Sequence, residues 1–384
     1  MRIGLVLESC DPQRGGAEQW TCQFAERLAV RGHEVHVVSR DFAPQSARLP
    51  IVAHALGRIG SRLGFAAAAE TVLRRLALDV VHDMGSGWYG DVLQSHDGSR
   101  LAQWEQKVAS LPRWAQPVKR AMIGVLPRYH TFRKLIARQF ADPRRIILAL
   151  SKMCAADYEH YHHVPRERIR LVYNGVDTQR FSPRHRGPYR EAFRRALKVG
   201  DDTLLLLFVG RDFRRKGLAT AIRAAGRLAA QGHPLRLAVL GGTRPGAYLR
   251  LARRCGAAEA VAFVGAVGDP VPYYAAADAL VLPTSYDPCS LSVLEAAASG
   301  LPSVTTQFNG AGELLTEGVD GFVLGDPADD AQLADRLRQL LDPTLRRRMG
   351  EAARQLALRH TLDSNCEQIV TIYYEIAARQ RCAA

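Results

Sequence analysis

Apolar residues fall along this chain in short unbroken runs, most of them followed by a turn rich in glycine or polar residues and then by a stretch with helical spacing. Runs at 2–7, 34–38, 51–56, 79–82, 92–95, 146–150 and 168–173 predict seven strands in the first half. Runs at 204–209, 235–240, 261–264, 279–283, 303–306 and 321–324 predict six more. The run from Leu204 to Val209 has no polar position, which marks a strand covered on both faces. Helices are predicted over 17–31, 62–76, 189–197, 218–228, 271–276 and 291–299, another starts at 310–312, and 331–341, 345–359 and 364–381 close the chain. Such alternation gives parallel sheets with helices on both faces.

Composition narrows the class. A chain of 384 residues can bury two cores. Hydrophobic residues at 47% and charged residues at 23% describe a globular protein, and no window approaches the ~20 apolar residues of a membrane span. The start, Met1-Arg2 and five apolar residues before Glu8, is expected to be a strand and not a secretory leader. Seven scattered cysteines form no CxxC pair, and no histidine cluster has ligand spacing, so neither a metal nor a cofactor is expected. Free thiols in a cytoplasmic setting are the simplest reading. The net charge of +14 points to anionic partners: nucleic acid, a membrane surface or phosphorylated substrates. No zinc finger or RNA-binding signature is present, so nucleic acid is not expected.

The chemistry concentrates at strand-to-helix turns. Ser285-Tyr-Asp-Pro-Cys-Ser290 leads from a strand into a helix that is closed by Gly300 and Pro302. Ser290 is expected to cap that helix, whose free N–H groups favour an anion. Asp287 lies in the turn and Glu295 eight residues on. Glu295 is either a solvated helix residue or a buried carboxylate that needs hydroxyl partners. A second turn, Gly210-Arg-Asp-Phe-Arg-Arg-Lys-Gly217, gathers glycine, Arg211 and Lys216 where cations would complement a diphosphate. Its spacing is not that of a P-loop. Gly15-Gly16 opens the first helix, as a flexible turn or as a place of close approach to a ligand. His96-Asp97 ends a strand, either as a cap with a surface histidine or as a ligand-facing pair.

Residues 100–145 are strongly basic. Arg100, Lys107, Arg113, Lys119, Arg120, Arg128, Arg133, Lys134, Arg138, Arg144 and Arg145 are opposed only by Glu105 and Asp142. Trp104, Trp114, Met122, Ile123, Leu126, Tyr129 and Phe132 are interleaved. The stretch is either a solvated helical face or a surface that meets anionic lipid headgroups.

The motifs together resemble glycosyltransferase family 4 (group 1), retaining enzymes of the GT-B fold. The carriers are Asp287-x7-Glu295, with Asp where the family's signature has Glu, Arg14-Gly-Gly-Ala17, the linker Asn174-Gly-Val-Asp-x3-Phe181, and Val209-Gly-x-Asp-Phe-x-Arg-Lys-Gly217. Within the family the last is most similar to the lipopolysaccharide-core glucosyltransferases. The resemblance implies two Rossmann-like α/β domains facing a cleft: an acceptor domain over 1–173, a linker over 174–188, a nucleotide-sugar domain over 189–360, and a final helix over 361–384 that crosses back. It implies a metal-independent transfer of a hexose from a nucleotide-sugar donor, with UDP-glucose the leading donor, to a lipid-linked saccharide acceptor. Arg211 and Lys216 would hold the phosphates, aided by Gly210, Ser290, Leu291 and Ser292. Asp287 would hold sugar hydroxyls, Glu295 the ribose, and Val267 the base. Gly15 and Gly16 would lie beside donor sugar and acceptor, and His96 and Asp97 would orient the acceptor hydroxyl. By its own basic and aromatic pattern, and not by the resemblance, the stretch 100–145 is expected to dock on the inner face of the cytoplasmic membrane. Two other classes stay open: a sugar-nucleotide epimerase on the same scaffold, and a non-catalytic membrane-associated binder of nucleotide sugars.

Overall fold

The computed structural model describes residues 1–242 and 244–383. The chain divides into two compact units, Met1–Tyr173 with Asp363–Ala384, and Asn174–Leu362.

The first unit is built on seven parallel strands: β1 (Arg2–Val6), β2 (Glu34–Ser39), β3 (Val52–Ala55), β4 (Val80–Asp83), β5 (Val92–Leu93), β6 (Ile146–Ala149) and β7 (Ile169–Leu171). Their order is β3-β2-β1-β4-β5-β6-β7. The second unit has six: β8 (Leu204–Val209), β9 (Leu235–Leu240), β10 (Val261–Gly265), β11 (Ala279–Val281), β12 (Ser303–Thr306) and β13 (Gly321–Leu324). They are ordered β10-β9-β8-β11-β12-β13 and are also parallel. Both orders reverse direction beside the first strand of the unit. At such a switch point neighbouring turns diverge and leave a crevice at the carboxyl ends of the strands.

Each unit follows from its apolar pattern. Leu204 to Phe208 are all at most 1% exposed, which requires cover on both faces. The helix Leu218–Ala230 supplies one cover through Ala221, Ile222, Ala225 and Leu228. Small residues let it come close: a Cβ on Gly226 would stand 2.4 Å from the Cys255 carbonyl oxygen. In the first unit the helix Gly16–Val30 buries Trp20, Phe24 and Leu28. The terminal helix Leu362–Ala383 buries Ile369, Tyr373 and Ile376 along one face and is fastened there. Its Tyr373 hydroxyl meets His82 Nδ1 at 2.6 Å, and Asp363 pairs with Arg27 at 3.3 Å.

Several boundaries differ from the sequence reading. The predicted helix at 310–312 is a short 3₁₀ turn, Gly310–Leu314, with the Asn309 side chain accepting the Ala311 N–H at its start. The helix expected over 62–76 stops at Leu73. The helix Gly246–Arg254 was not foreseen. Residues 100–145 fold as three helices, Arg100–Ala109, Gln116–Val125 and Pro127–Ala141, broken at Pro112 and Pro127.

Gly226→Ala is expected to destabilise the second unit. Helix propensity alone favours Ala by about 1 kcal/mol, but the clash with a backbone carbonyl costs roughly 1–3 kcal/mol. A lower thermal midpoint for the variant checks this; a higher one would show that the helix can move away.

Candidate active site

In the second unit two turns at the carboxyl ends of neighbouring strands are bound together. The turn after β8 presents the Arg215 carbonyl, which accepts from Thr284 Oγ1 at 2.9 Å, from the Ser285 N–H at 2.8 Å and from Ser285 Oγ at 3.2 Å. The Arg215 guanidinium donates back to the Tyr286 carbonyl at 3.2 Å. Gly217 closes the turn at φ +79°, and a Cβ there would stand 2.0 Å from the Pro283 carbonyl oxygen. Glycine is required on both counts.

Held between these turns, Lys216 forms an ion pair with Asp287. Asp287 is itself fixed: its N–H donates to the Phe308 carbonyl at 2.8 Å, and its carbonyl accepts from Gly310 at 2.8 Å. The Asn174 side chain donates to the Cys289 carbonyl at 2.8 Å, which shapes the rest of the turn. The helix Leu291–Ala298 follows. Ser290 stands at its N-cap position, but the Ser290 hydroxyl caps nothing. It is buried and has no hydrogen-bond partner among the described residues. Asn309 instead accepts the Ser290 N–H at 3.2 Å. The turn therefore ends in an unpaired hydroxyl and in the free N–H groups of a first helical turn at Leu291 and Ser292.

Glu295 lies inside this helix. The fully buried Tyr274 hydroxyl donates to its Oε2 at 2.7 Å. Burial raises the Glu295 pKa above the usual carboxylate range, against the pull of Tyr274, Arg180 and Lys216. Glu295 is thus not freely solvated, and among the described residues no direct ion pair neutralises it. Arg211 stands exposed at the mouth of the β8 turn, with no hydrogen bond or ion pair among the described residues. Gly210 sits under Lys216, whose Cγ is 2.9 Å from the position of a Cβ. Val267 lies in the turn after β10, whose Gly265 carbonyl accepts from the Gly241 N–H at 2.7 Å. Lys216, Asp287, Ser290 and Glu295 thus gather around one helix tip, with Arg211 and Val267 on turns of the same sheet edge.

The first unit has its own cavity, of about 220 Å³, at the carboxyl ends of β1, β4 and β5. Ala17, Glu18 and Thr21 line it from the helix that follows Gly15-Gly16, and His96 and Asp97 from the turn after β5. Gly15 is extended and Gly16 is the first helical residue. Asp97 is not free: it pairs with Arg100. His96 packs against Trp20 with the rings tilted and their centres 4.8 Å apart, and has no partner for its buried Nε2 among the described residues. Burial lowers its pKa to about 4, so it is neutral at pH 7.

Sequence reasoning missed several residues here. Arg40, Arg62 and Phe132 also line the cavity, and the Arg62 and Arg100 guanidiniums lie 4.4 and 4.9 Å from the Phe132 ring centre. In the second unit it missed Tyr274 and Asn309, and it read Asn174 and Arg180 only as linker. Tyr274 gave no signal, since a tyrosine in an apolar helix reads as core.

The basic segment is also sorted by the fold. Trp104 packs on Tyr129 at 4.9 Å, and Val108, Ile123 and Tyr129 form a small core. Arg145 is buried, donating to the carbonyls of Gly90 at 2.8 Å, Gln139 at 3.0 Å and Trp88. These residues are not surface, because paired helices must bury one stripe. Trp114, Val118, Met122 and Val125 remain exposed.

Two family models match the chain: "Glycosyltransferase Family 4" over residues 14–180 and "Glycosyl transferases group 1" over residues 189–356. The D-inositol 3-phosphate glycosyltransferase of Acidothermus cellulolyticus is 31% identical over 96% of this chain and 88% of its own. The lipopolysaccharide glucosyltransferase WaaG of Escherichia coli is 25% identical over 89% and 91%. The crystal structure of a WaaG, a glycosyltransferase involved in lipopolysaccharide biosynthesis, superposes with a TM-score of 0.80 at 24% identity, covering 97% of this chain and 99% of that one.

Buried neutral histidines give a pH dependence. His82 and His96 have folded values of about 3 and about 4, below an unfolded value near 6.5. The unfolded chain binds protons first as pH falls, so stability should drop from about pH 6.5 towards 4. Urea midpoints across this window check it, and a His82→Gln variant should show a shallower decline than the parent.

Proposed function

The chain belongs to the group 1 glycosyl transferases (glycosyltransferase family 4), and we propose that it moves a hexosyl group, with retention, from a nucleotide sugar to a phosphate-bearing or lipid-linked saccharide acceptor. The observation that carries the proposal is the convergence of Lys216, an unpaired Ser290 hydroxyl, free helix N–H groups and a partly buried Glu295 at one turn.

The leaving group of such a transfer is a nucleoside diphosphate, and charge grows on its β-phosphate in the transition state. Lys216, Arg211 and the N-terminus of the helix Leu291–Ala298 supply fixed donors to that charge. A metal has no required place in this scheme, because cations of the chain do the same work. Glu295, held by Tyr274, hydrogen-bonds the ribose hydroxyls. The charge of Lys216 is shared with Asp287, so the pair serves phosphate on one side and sugar hydroxyls on the other.

In the acceptor unit, His96 with a pKa of about 4 is a poor general base at neutral pH. In this reading it orients the acceptor hydroxyl from its place in the cavity lining, and the departing phosphate takes the proton. Arg40, Arg62 and Arg100 line the cavity beside Glu8, Glu18 and Asp97; Arg40 and Arg100 are paired with Glu8 and Asp97, which leaves Arg62, without an ion pair among the described residues, as the cation offered to a negatively charged acceptor. The relative named for D-inositol 3-phosphate fits that reading, and so does a phosphorylated lipid core. UDP-glucose is the proposed donor, on the likeness to the lipopolysaccharide glucosyltransferase.

The chain works at the inner face of a membrane in this proposal. Trp114 and Val125 are 80% and 76% exposed among basic residues, a pattern suited to anionic headgroups. Among the described residues no helix is long and apolar enough to cross a membrane.

Lys216→Ala and Glu295→Ala should each lower transfer from UDP-glucose by on the order of 100-fold while circular dichroism stays unchanged. Retention of more than about a tenth of the activity would remove these residues from the donor site. Conversion of the donor without any acceptor would identify an epimerase instead. In flotation, the protein should rise with anionic vesicles and not with neutral ones. Equal binding to both, or to neither, would remove the membrane assignment.

A further inference from the structure

The opposite end of the second unit's sheet carries another concentration of charge. Asp278 precedes β11 and is 5% exposed. Its Oδ1 accepts from Arg190 at 2.7 Å, and its Oδ2 accepts from Arg194 at 2.9 Å and from the Leu205 N–H at 2.8 Å. Arg186 and Arg346 converge on the same place. Burial lowers the Arg186 pKa, and the charges of Arg190, Arg346 and Arg194 lower it further against Asp278. Four guanidiniums face one carboxylate, a surplus of three positive charges. Backbone carbonyls of Ala276, Ala277, Leu340 and Leu341 accept some of the N–H groups but carry no charge to offset.

Arg186, Arg190, Arg346 and Asp278 line a cavity of about 460 Å³, with Arg194 buried behind them. Arg354 adds to it from the helix Pro343–Arg359, and so does Arg347, which has no hydrogen bond or ion pair among the described residues. Glu351 is the one further acid in the lining. The helix reaches the cavity because it is packed against the turn at Gly300. A Cβ on Gly350 would stand 2.3 Å from the Gly300 carbonyl oxygen.

Like charges gathered in a half-buried cavity are costly unless an anion joins them. Planar guanidinium forks match phosphate oxygens in pairs. We propose that this cavity, at the amino ends of β8 and β11, is a second binding site that takes a phosphate group, either free or on a lipid headgroup. It is separate from the donor turn, which lies at the carboxyl ends of the same strands. The proposal does not depend on the assignment of that turn.

The test uses the full chain with Lys216→Ala, which weakens anion binding at the donor turn. Inorganic phosphate should raise the thermal midpoint more than sodium chloride of equal ionic strength. Arg186→Gln with Arg347→Gln should weaken the apparent phosphate affinity about tenfold or more, since each removes a charge-assisted contact. Arg347→Gln alone, at an exposed and unbonded position, should weaken it in the same direction if the double variant does not fold. Phosphatidylglycerol vesicles form the second arm. Binding to them that is lost in these variants, with no response to free phosphate, identifies a lipid headgroup as the source. Equal responses to phosphate and chloride, with vesicle binding unchanged in both variants, overturn the proposal.

Discussion

The second unit depends on a backbone lock between two turns. The Arg215 carbonyl takes three hydrogen bonds from Thr284 and Ser285, and Gly217 passes too close to Pro283 for any side chain. Lys216 lies between these fixed points, and it meets Asp287 because the backbone leaves it little other choice. Preorganisation of this kind is what makes a cation useful in catalysis, since nothing has to be rearranged as charge develops. The same lock delivers the unpaired Ser290 hydroxyl and the helix tip to the same few ångströms of turn.

Electrostatics then separates the two ends of one sheet. At the carboxyl ends of its strands the cations are few and only partly neutralised, around a helix tip and a carboxylate whose pKa burial has raised. At the amino ends, arginines crowd around Asp278. A net charge of +14 is therefore not spread evenly over the molecule. Part of it is concentrated at turns and cavities, where a low dielectric gives each charge more effect than at the surface. In the first unit the opposite device operates: His82 and His96 are kept neutral by burial at the end of the sheet where the cavity lies.

Much of this was legible in the sequence because parallel strands buried on both faces leave unbroken apolar runs. The runs at 204–209, 235–240 and 303–306 became β8, β9 and β12 with the same bounds. The crowding of Lys216 and Gly217 at a strand-to-helix turn was also visible, since glycine and cations rarely cluster there by chance. What the sequence hid is tertiary. Ser290 looked like a cap, but Asn309, nineteen residues away, takes its N–H and leaves the hydroxyl unpaired. Asp97 read either as a cap or as a ligand-facing acid, but Arg100, one helical turn on, pairs with it. Trp104 and Tyr129 looked like surface aromatics in a basic stretch, yet three short helices pack them against each other. Tyr274 could not be told from core until Glu295 was seen beneath its hydroxyl. In each case the deciding partner is distant in sequence or hidden by an ambiguous pattern.

The most direct measurement is a crystal structure of the protein with a nucleoside diphosphate bound. The account predicts the β-phosphate within hydrogen-bond distance of Lys216 Nζ and the N–H groups at Leu291 and Ser292, with the ribose hydroxyls on Glu295. A diphosphate seated elsewhere, with Lys216 and Asp287 still paired only to each other, would contradict it.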